Sequence, residues 1–285
     1  MAIMNIINEI SSYEEKDIFF ANNPSKLYKY RIWSDPFHKK ILTEGELFFS
    51  SPKRFNDPYD CGLPFRQHPE NSDPIIIKQK VEACAPNIFP NLIRDKKALE
   101  EKCAQQVLLI QQDPKSWFEM NWGYKPEDLS QVFGVLSVTP HPDNYLMWSH
   151  YSNSHKGFCI EFDTRKLVES VVATFQKVRY TDEIPLFSIK DTLEDELMVK
   201  LLYTKSKKYW AYEDEYRFSY IYGPDKAVKF SPDALTAIYF GCKASYEDQI
   251  EIIEIVTKKY PKAEFRKMDL DKKDFKLNVG KIPLF

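Results

Sequence analysis

The segment 210–218 (WAYEDEYRF) holds the densest group of side chains that could do chemistry in this chain. Glu213, Asp214 and Glu215 supply three successive carboxylates, and Arg217 follows between aromatic residues. From Glu215 onward apolar and polar residues alternate, which predicts a strand with Glu215 and Arg217 on one face. Continuing that row backwards places Glu213 on the same face and Asp214 on the opposite one. Because a strand entrance holds side chains rigidly, we expect a functional site here, with Glu215 as the first candidate catalytic residue and Glu213 as the second.

Two carboxylates at this spacing suit one kind of reaction in particular. A carboxylate stabilises the positive charge that develops on a sugar as its glycosidic bond breaks, and a second one can orient the attacking nucleophile. The competing interpretation is an alternating charged face on a strand, in which Glu215 and Arg217 pair with each other or with cations on neighbouring strands. The sequence leaves both interpretations open.

Composition limits the class of protein. The 285 residues are 43% hydrophobic, with 20 Phe and 17 Tyr, which is enough for a sizeable buried core. The net charge is −2, so no global basic field would attract nucleic acid or an anionic membrane. Local lysines, at 205–208 and within 258–281, are mixed with acidic residues and leave a nucleic-acid target open.

Several kinds of site are disfavoured by missing motifs. Five scattered cysteines form no CxxC pair, and the histidines match no zinc-ligand spacing, so we expect no metal. The eight glycines form neither GxGxxG nor a P-loop. The acidic N-terminal segment does not resemble a signal peptide, and no apolar run has the length of a membrane span. We therefore expect a cytoplasmic protein without a membrane partner.

Hydrophobic periodicity predicts an α+β fold in one domain spanning 1–285, with a helical insertion or subdomain over 66–130 that is broken at Pro86, Pro90, Pro114 and Pro126. Strands are predicted at 27–32, 46–50, 132–138, 157–162, 175–180, 215–220, 226–230, 234–241 and 263–267. Helices are predicted at 36–43, 164–172, 190–209 and 246–259, with another that begins at Asp143 as its N-cap and carries His150 and Tyr151.

The strand at 27–32 supplies candidate ligand-binding residues. Its alternation places Tyr28 and Tyr30 on one face and Lys29 and Arg31 on the other, so only one pair can line a cleft. Arg31 is our first choice, because a guanidinium can hold a phosphate through two hydrogen bonds. Tyr30 and Tyr28 are alternatives that could stack on a planar ring. An ordinary core strand explains the same pattern.

Two further places offer candidates. The turn 55–60 (FNDPYD) is structural by composition, but Asn56 or Asp57 could contact a ligand from it. His150 and Tyr151, at the end of a predicted helix, could carry a proton or stack on a ring. The simpler explanation for His150 and Tyr151 is that both side chains pack against the rest of the protein.

Five segments together resemble one uncharacterised bacterial family, a domain of unknown function (family 2971). Their order and spacing both match, over about 27–241. The segments are LYKYR (27–31), ELFFSSPKRFNDPYD (46–60), MWSHYSNSHKGFCIEFD (147–163), KKYWAYEDEYRF (207–218) and, more weakly, IYFG (238–241).

The order of elements also resembles, more loosely, the ADP-ribosyltransferase fold, a split mixed β-sheet core. Arginine-modifying members of that superfamily carry Glu-x-Glu on the third functional strand, and Glu213-Asp214-Glu215 has this form. The resemblance implies an NAD-dependent ADP-ribosyltransferase or NAD glycohydrolase that acts as a toxin or anti-phage effector. NAD would be the substrate, and the acceptor would be protein, nucleic acid or water. The alternative is a non-catalytic nucleotide- or protein-binding module of a bacterial defence or regulatory system.

Overall fold

The computed structural model describes residues 13–115, 132–191, 196–221 and 223–282. Helices and strands are numbered here in chain order. The helices within the described residues are α1 (Tyr13–Ala21), α2 (Pro36–Thr43), α3 (Pro74–Ile88), α4 (Lys96–Gln112), α5 (Tyr145–Tyr151), α6 (Thr164–Ser170), α7 (Met198–Leu202), α8 (Lys207–Trp210) and α9 (Tyr246–Lys259). The strands are β1 (Lys26–Arg31), β2 (Glu46–Phe49), β3 (Phe133–Val138), β4 (Phe158–Asp163), β5 (Thr174–Lys177), β6 (Arg179–Thr181), β7 (Thr204–Ser206), β8 (Tyr216–Ile221), β9 (Lys226–Lys229), β10 (Leu235–Phe240), β11 (Glu264–Leu270) and β12 (Leu277–Lys281).

The mixed α+β class is confirmed, and most predicted elements lie where the periodicity placed them. Helix α2 has the predicted bounds because Asp35 accepts hydrogen bonds from the backbone amides of Phe37 and His38 at its start. At its end Gly45 has a φ of +67°, a left-handed conformation that suits glycine. Helix α9 begins at Ser245, whose hydroxyl accepts from the amide of Asp248, as predicted.

The predicted long helix over 190–209 was wrong. Residues 198–202 are helical, but Thr204–Ser206 form strand β7, which pairs in parallel with β6. Thr204 is β-branched and buried, so it suits a strand. Of the leucine stripe that suggested the helix, Leu197 and Leu201 are buried, and Leu193 lies outside the described residues.

Smaller corrections concern element ends. Pro86 lies inside α3 instead of breaking it, and α3 ends two residues later, at Ile88. Helix α5 is capped by Asn144 and not by Asp143, since the Asn144 side chain accepts from the two amides that follow. The predicted strand 175–180 is divided at Val178 into β5 and β6. Strand β12 was not predicted. The predicted breaks at Pro114 and Pro126 lie, respectively, just beyond α4 and outside the described residues.

The chain divides into two compact units. The first contains the described residues within 1–54, 132–178 and 208–285, and the second those within 55–131 and 179–207. The second unit holds helices α3 and α4, which contact each other, helix α7 and the two-stranded sheet β6–β7. Its buried charges include Asp60 and Lys205, whose carboxylate and ammonium lie 3.5 Å apart.

Three sheets build the first unit. A five-stranded sheet has the order β1-β4-β10-β11-β12, a three-stranded sheet has the order β3-β8-β5, and β2 pairs with β9. Isolated bridges from Tyr28 to Thr139 and from Ser50 to Val135 connect the other two sheets to β3. Strand β8 is therefore the central strand of its sheet, hydrogen-bonded to β3 and β5 on its two sides.

The five-stranded sheet has an apolar cluster on each face. The larger cluster contains Leu27 of β1 and extends to the apolar face of β8, where Phe218 is fully buried. The smaller cluster contains Tyr28 and Tyr30 with Trp148 of α5. Alternation along β1 therefore directs Lys29 and Arg31 to the same side as Leu27 and away from the two tyrosines.

Candidate active site

The predicted carboxylates flank a sharp turn. Residues Ala211–Glu213 form a 3₁₀ turn, Asp214 has the left-handed values φ 41° and ψ 51°, and β8 begins at Tyr216. The prediction that Glu213 continues the strand face of Glu215 and Arg217 was therefore wrong, because the chain is not extended at Glu213. Glu213 and Glu215 are nonetheless both buried, each 4% exposed.

Glu215 forms a bidentate ion pair with Arg217. The guanidinium Nε donates to Glu215 Oε1 at 2.7 Å, and Nη2 donates to Oε2 at 3.0 Å. Both side chains project from the polar face of the sheet, two residues apart, and Arg217 is completely buried. Parallel guanidinium–carboxylate hydrogen bonds are strong and fix both groups. The backbone is held as well, since Val178 donates its amide to the carbonyl of Glu215 at 2.9 Å.

Glu213 is bound by Tyr151, the last residue of α5. The tyrosine hydroxyl donates to Glu213 Oε1 at 2.6 Å. Nearby, Asn144 at the start of α5 donates to the carbonyl of Tyr212 at 2.5 Å, and the rings of His150 and Tyr212 lie 6.3 Å apart. Helix α5 is therefore attached to the carboxylate turn at both of its ends.

Lys29 of β1 is bound to β3, the strand that pairs with β8. Its ammonium donates to the carbonyl of Ser137 on β3, next to Arg217 in the sheet register. Although part of its surface remains accessible, burial lowers the pKa of Lys29 well below its ordinary value, and the charge of Arg31 adds to this. The charges of Glu215 and Glu213 raise the pKa of the same ammonium and so oppose part of this shift.

Arg31 lies on the same face of β1 as Lys29. Burial lowers its pKa to about 10, although the Asp35 carboxylate opposes that shift. The imidazole of His38, in the first turn of α2, accepts a hydrogen bond from the amide of Ile32 at 3.2 Å. Burial, with the charge of Arg31, lowers the pKa of His38 to about 4, so this imidazole is neutral at pH 7.

The other predicted residues lie elsewhere. Tyr28 and Tyr30 are on the opposite face of β1, where their hydroxyls donate to Glu161 Oε2 at 3.0 Å and to the carbonyl of His141 at 2.6 Å. Burial raises the pKa of both hydroxyls well above the ordinary tyrosine value. Asn56 is exposed and belongs to the second unit, in the predicted turn.

Sequence reasoning did not select Lys29 or the partners of Asp214. Lys29 was detectable, because alternation places it on the same face as Arg31. Asp214 accepts from Lys177 and lies 3.1 Å from the imidazole of His141, and these three residues are far apart in the chain. No local sequence pattern predicts the contacts of Asp214 with Lys177 and His141.

Metal and membrane signals are absent from the part of the chain that the structure describes. It contains no group of three or more His, Cys, Asp or Glu side chains placed to hold a metal ion. None of its helices is long and apolar enough to cross a membrane.

Comparison with known proteins gives one match. The model of a family described as a protein of unknown function, DUF2971, matches residues 147–218. This region includes Tyr151, both glutamates and Arg217, whereas the segments at 27–31 and 46–60 lie outside it. No curated protein and no solved structure matches the chain.

Proposed function

We propose that the first unit cleaves the bond between nicotinamide and ribose in NAD, as an NAD glycohydrolase or ADP-ribosyltransferase. One observation carries this proposal: Glu213 and Glu215 are both buried and fixed on either side of one turn, and Lys29 of β1 is bound to Ser137, the register partner of Arg217. The carboxylates suit the positive charge that develops on the ribose, and the cations suit the diphosphate. The ADP-ribosyltransferase-like fold is part of the same proposal.

Hydrogen bonding reverses the order of the two carboxylates in our proposal. Both oxygens of Glu215 accept from Arg217, so that pair is neutral as a unit and Glu215 serves to shape the site. Glu213 accepts from the Tyr151 hydroxyl through Oε1, which fixes its carboxylate beside the end of α5. We therefore assign Glu213 to stabilise the ribosyl cation in the transition state.

The test is the initial rate of nicotinamide release from NAD by the wild-type protein and by Glu213→Gln. Removing a group that stabilises transition-state charge lowers kcat by about 100-fold or more. Glu264→Gln is the matched control, because Glu264 is exposed and pairs with Arg266 on β11. Lys29→Met should raise the KM for NAD more than it lowers kcat. Protein, DNA, RNA and water are each offered as acceptor.

A second function, non-catalytic binding of a nucleotide or protein, is favoured by the Glu215–Arg217 pair. A buried bidentate pair of this kind is also a structural feature of many cores. If NAD raises the melting temperature without being consumed, the site binds nucleotide and performs no chemistry. If neither NAD nor any other nucleotide changes the melting temperature and no nicotinamide is released, both nucleotide proposals fail and a protein partner remains.

A further inference from the structure

Asp214 adopts a backbone conformation that residues other than glycine rarely take. Its φ of 41° and ψ of 51° are left-handed, and Asp and Asn tolerate this region better than most residues. The residue ends the 3₁₀ turn, where its amide donates to the carbonyl of Ala211 at 3.2 Å. Such a conformation persists only when the surroundings hold it in place.

Two side chains, a lysine and a histidine, hold the Asp214 carboxylate. Lys177 Nζ lies 2.7 Å from Oδ1, and His141 Nε2 lies 3.1 Å from Oδ2. Burial by itself would raise the pKa of Asp214, but the hydrogen bonds and charges of Lys177 and His141 lower it below the ordinary aspartate value. We call Lys177, Asp214 and His141 the Asp214 clasp.

The clasp is anchored on fixed parts of the first unit. Lys177 is the last residue of β5, which is paired with β8. The carbonyl of His141 accepts from Tyr30 of β1 at 2.6 Å, and its amide donates to the hydroxyl of Thr139 at 3.3 Å. The turn between the two glutamates is thereby connected to β1, to β5 and to Thr139, the residue that follows β3.

We propose that Asp214, held by His141 and Lys177, is a positioning residue that sets the separation and direction of Glu213 and Glu215. The left-handed conformation of Asp214 lets the chain pass directly from the 3₁₀ turn to the extended chain that leads into β8. As a result Glu213 reaches Tyr151 while Glu215 reaches Arg217. The role of Asp214 in positioning the two carboxylates does not depend on the proposed function. Only the expected effect on NAD cleavage rests on it.

The chain contains a matched control. Asp225, in the same unit, is also left-handed, with a φ of 56°. It also has a cationic partner, because Arg54 Nε lies 2.8 Å from its Oδ1, and it accepts from the amide of Ser51 at 3.0 Å. Substituting Asp225 therefore measures the effect on activity and folding of losing a left-handed aspartate with a cationic partner that does not lie between Glu213 and Glu215.

The experiment compares Asp214→Ala and Asp214→Gly with Asp225→Ala and Asp225→Gly. We expect Asp214→Ala to lower kcat for NAD cleavage about 100-fold with KM changed less than about twofold, because misplacement of a catalytic group by about 1 Å has that effect. Asp214→Gly should lose less, since glycine keeps the backbone conformation. Both Asp225 variants should retain wild-type kcat.

A second readout needs no turnover. The Tyr151 hydroxyl proton, in a hydrogen bond of 2.6 Å, should give a downfield, slowly exchanging NMR signal that Tyr151→Phe identifies. We expect Asp214→Ala to abolish this signal and Asp225→Ala to keep it. If the wild type releases no nicotinamide, the proposed function fails, and the signal alone decides on positioning. A signal retained in Asp214→Ala, or lost equally in Asp225→Ala, overturns the proposal. If Asp214→Ala does not fold, Lys177→Met, which removes one partner of Asp214, should weaken the signal, and a full signal in that variant overturns the proposal.

Discussion

Glu213 and Glu215 are separated by one residue, and each accepts a hydrogen bond from a different element, Tyr151 of α5 and Arg217 of β8. Glu215 is held by a guanidinium that is completely buried, whereas Glu213 is held by a phenol at the end of a helix. Removing one member of a buried ion pair leaves an uncompensated charge, which costs more than the pair itself contributes. The partners of these residues therefore determine what each substitution does.

Arg217→Met should lower the free energy of unfolding by about 3–5 kcal/mol, because the Glu215 carboxylate stays buried without its guanidinium. Urea denaturation measures this change. Lys262→Met is the control, since Lys262 and Asp233 form an exposed pair that should contribute less than about 1 kcal/mol. Equal losses in the two variants would contradict a buried pair at Arg217.

His38 should make stability depend on pH. Its pKa is lowered to about 4 in the folded protein, below the ordinary value of 6.5, so the unfolded chain binds the proton more readily. This contribution to stability is present above about pH 6.5 and is lost as the pH falls from 6.5 towards 4. His38→Gln should flatten that part of the pH profile of the unfolding free energy, measured by urea denaturation. An unchanged slope would show that His38 is not the titrating group.

At the scale of elements, the strands and helices with clear local signals were predictable. Helices α2 and α9 have side-chain caps, and the alternation of β1 and β8 is visible in the sequence. Long-range contacts explain the failures. Strand β7 exists because it pairs with β6, and Asp214 turns left-handed because Lys177 and His141 hold it. The prediction that Glu215 and Arg217 lie two residues apart on one polar face was correct. Glu213 lies before a turn, and hydrophobic periodicity does not predict that turn.

The cap of α9 provides a prediction at this scale. Ser245→Ala should cost about 1 kcal/mol of unfolding free energy, because the amide of Asp248 loses the hydroxyl that accepts from it at 3.1 Å. Ser231 precedes the short 3₁₀ turn Pro232–Ala234 and makes no side-chain cap bond, so Ser231→Ala should be nearly neutral. The comparison fails if both substitutions cost the same in thermal or urea denaturation.

At the scale of the whole molecule, the first unit depends on a buried carboxylate that joins three strands. Glu161 on β4 accepts from Tyr28 of β1 at 3.0 Å, and from Thr236 and Tyr239 of β10 at 2.7 Å each. Lys26 lies 3.3 Å from the same carboxylate. These bonds, on the sheet face away from Lys29, indicate that Glu161 stabilises the five-stranded sheet.

Glu161→Gln should lower the free energy of unfolding by about 2–4 kcal/mol, because several donors lose a charged acceptor. Hydrogen exchange should show reduced protection of amides in β1, β4 and β10 and unchanged protection of α3 and α4, which belong to the second unit. Glu254→Gln, at an exposed position of α9, is the control. Equal loss of protection in both units would contradict a role confined to the first.

The most direct test of the central claim is the rate of nicotinamide release from NAD by the wild type, Glu213→Gln and Glu264→Gln. The account predicts that the wild type and Glu264→Gln release nicotinamide at similar rates. It predicts a rate at least about 100-fold lower for Glu213→Gln. No release by the wild type with any acceptor, or a full rate in Glu213→Gln, would contradict it.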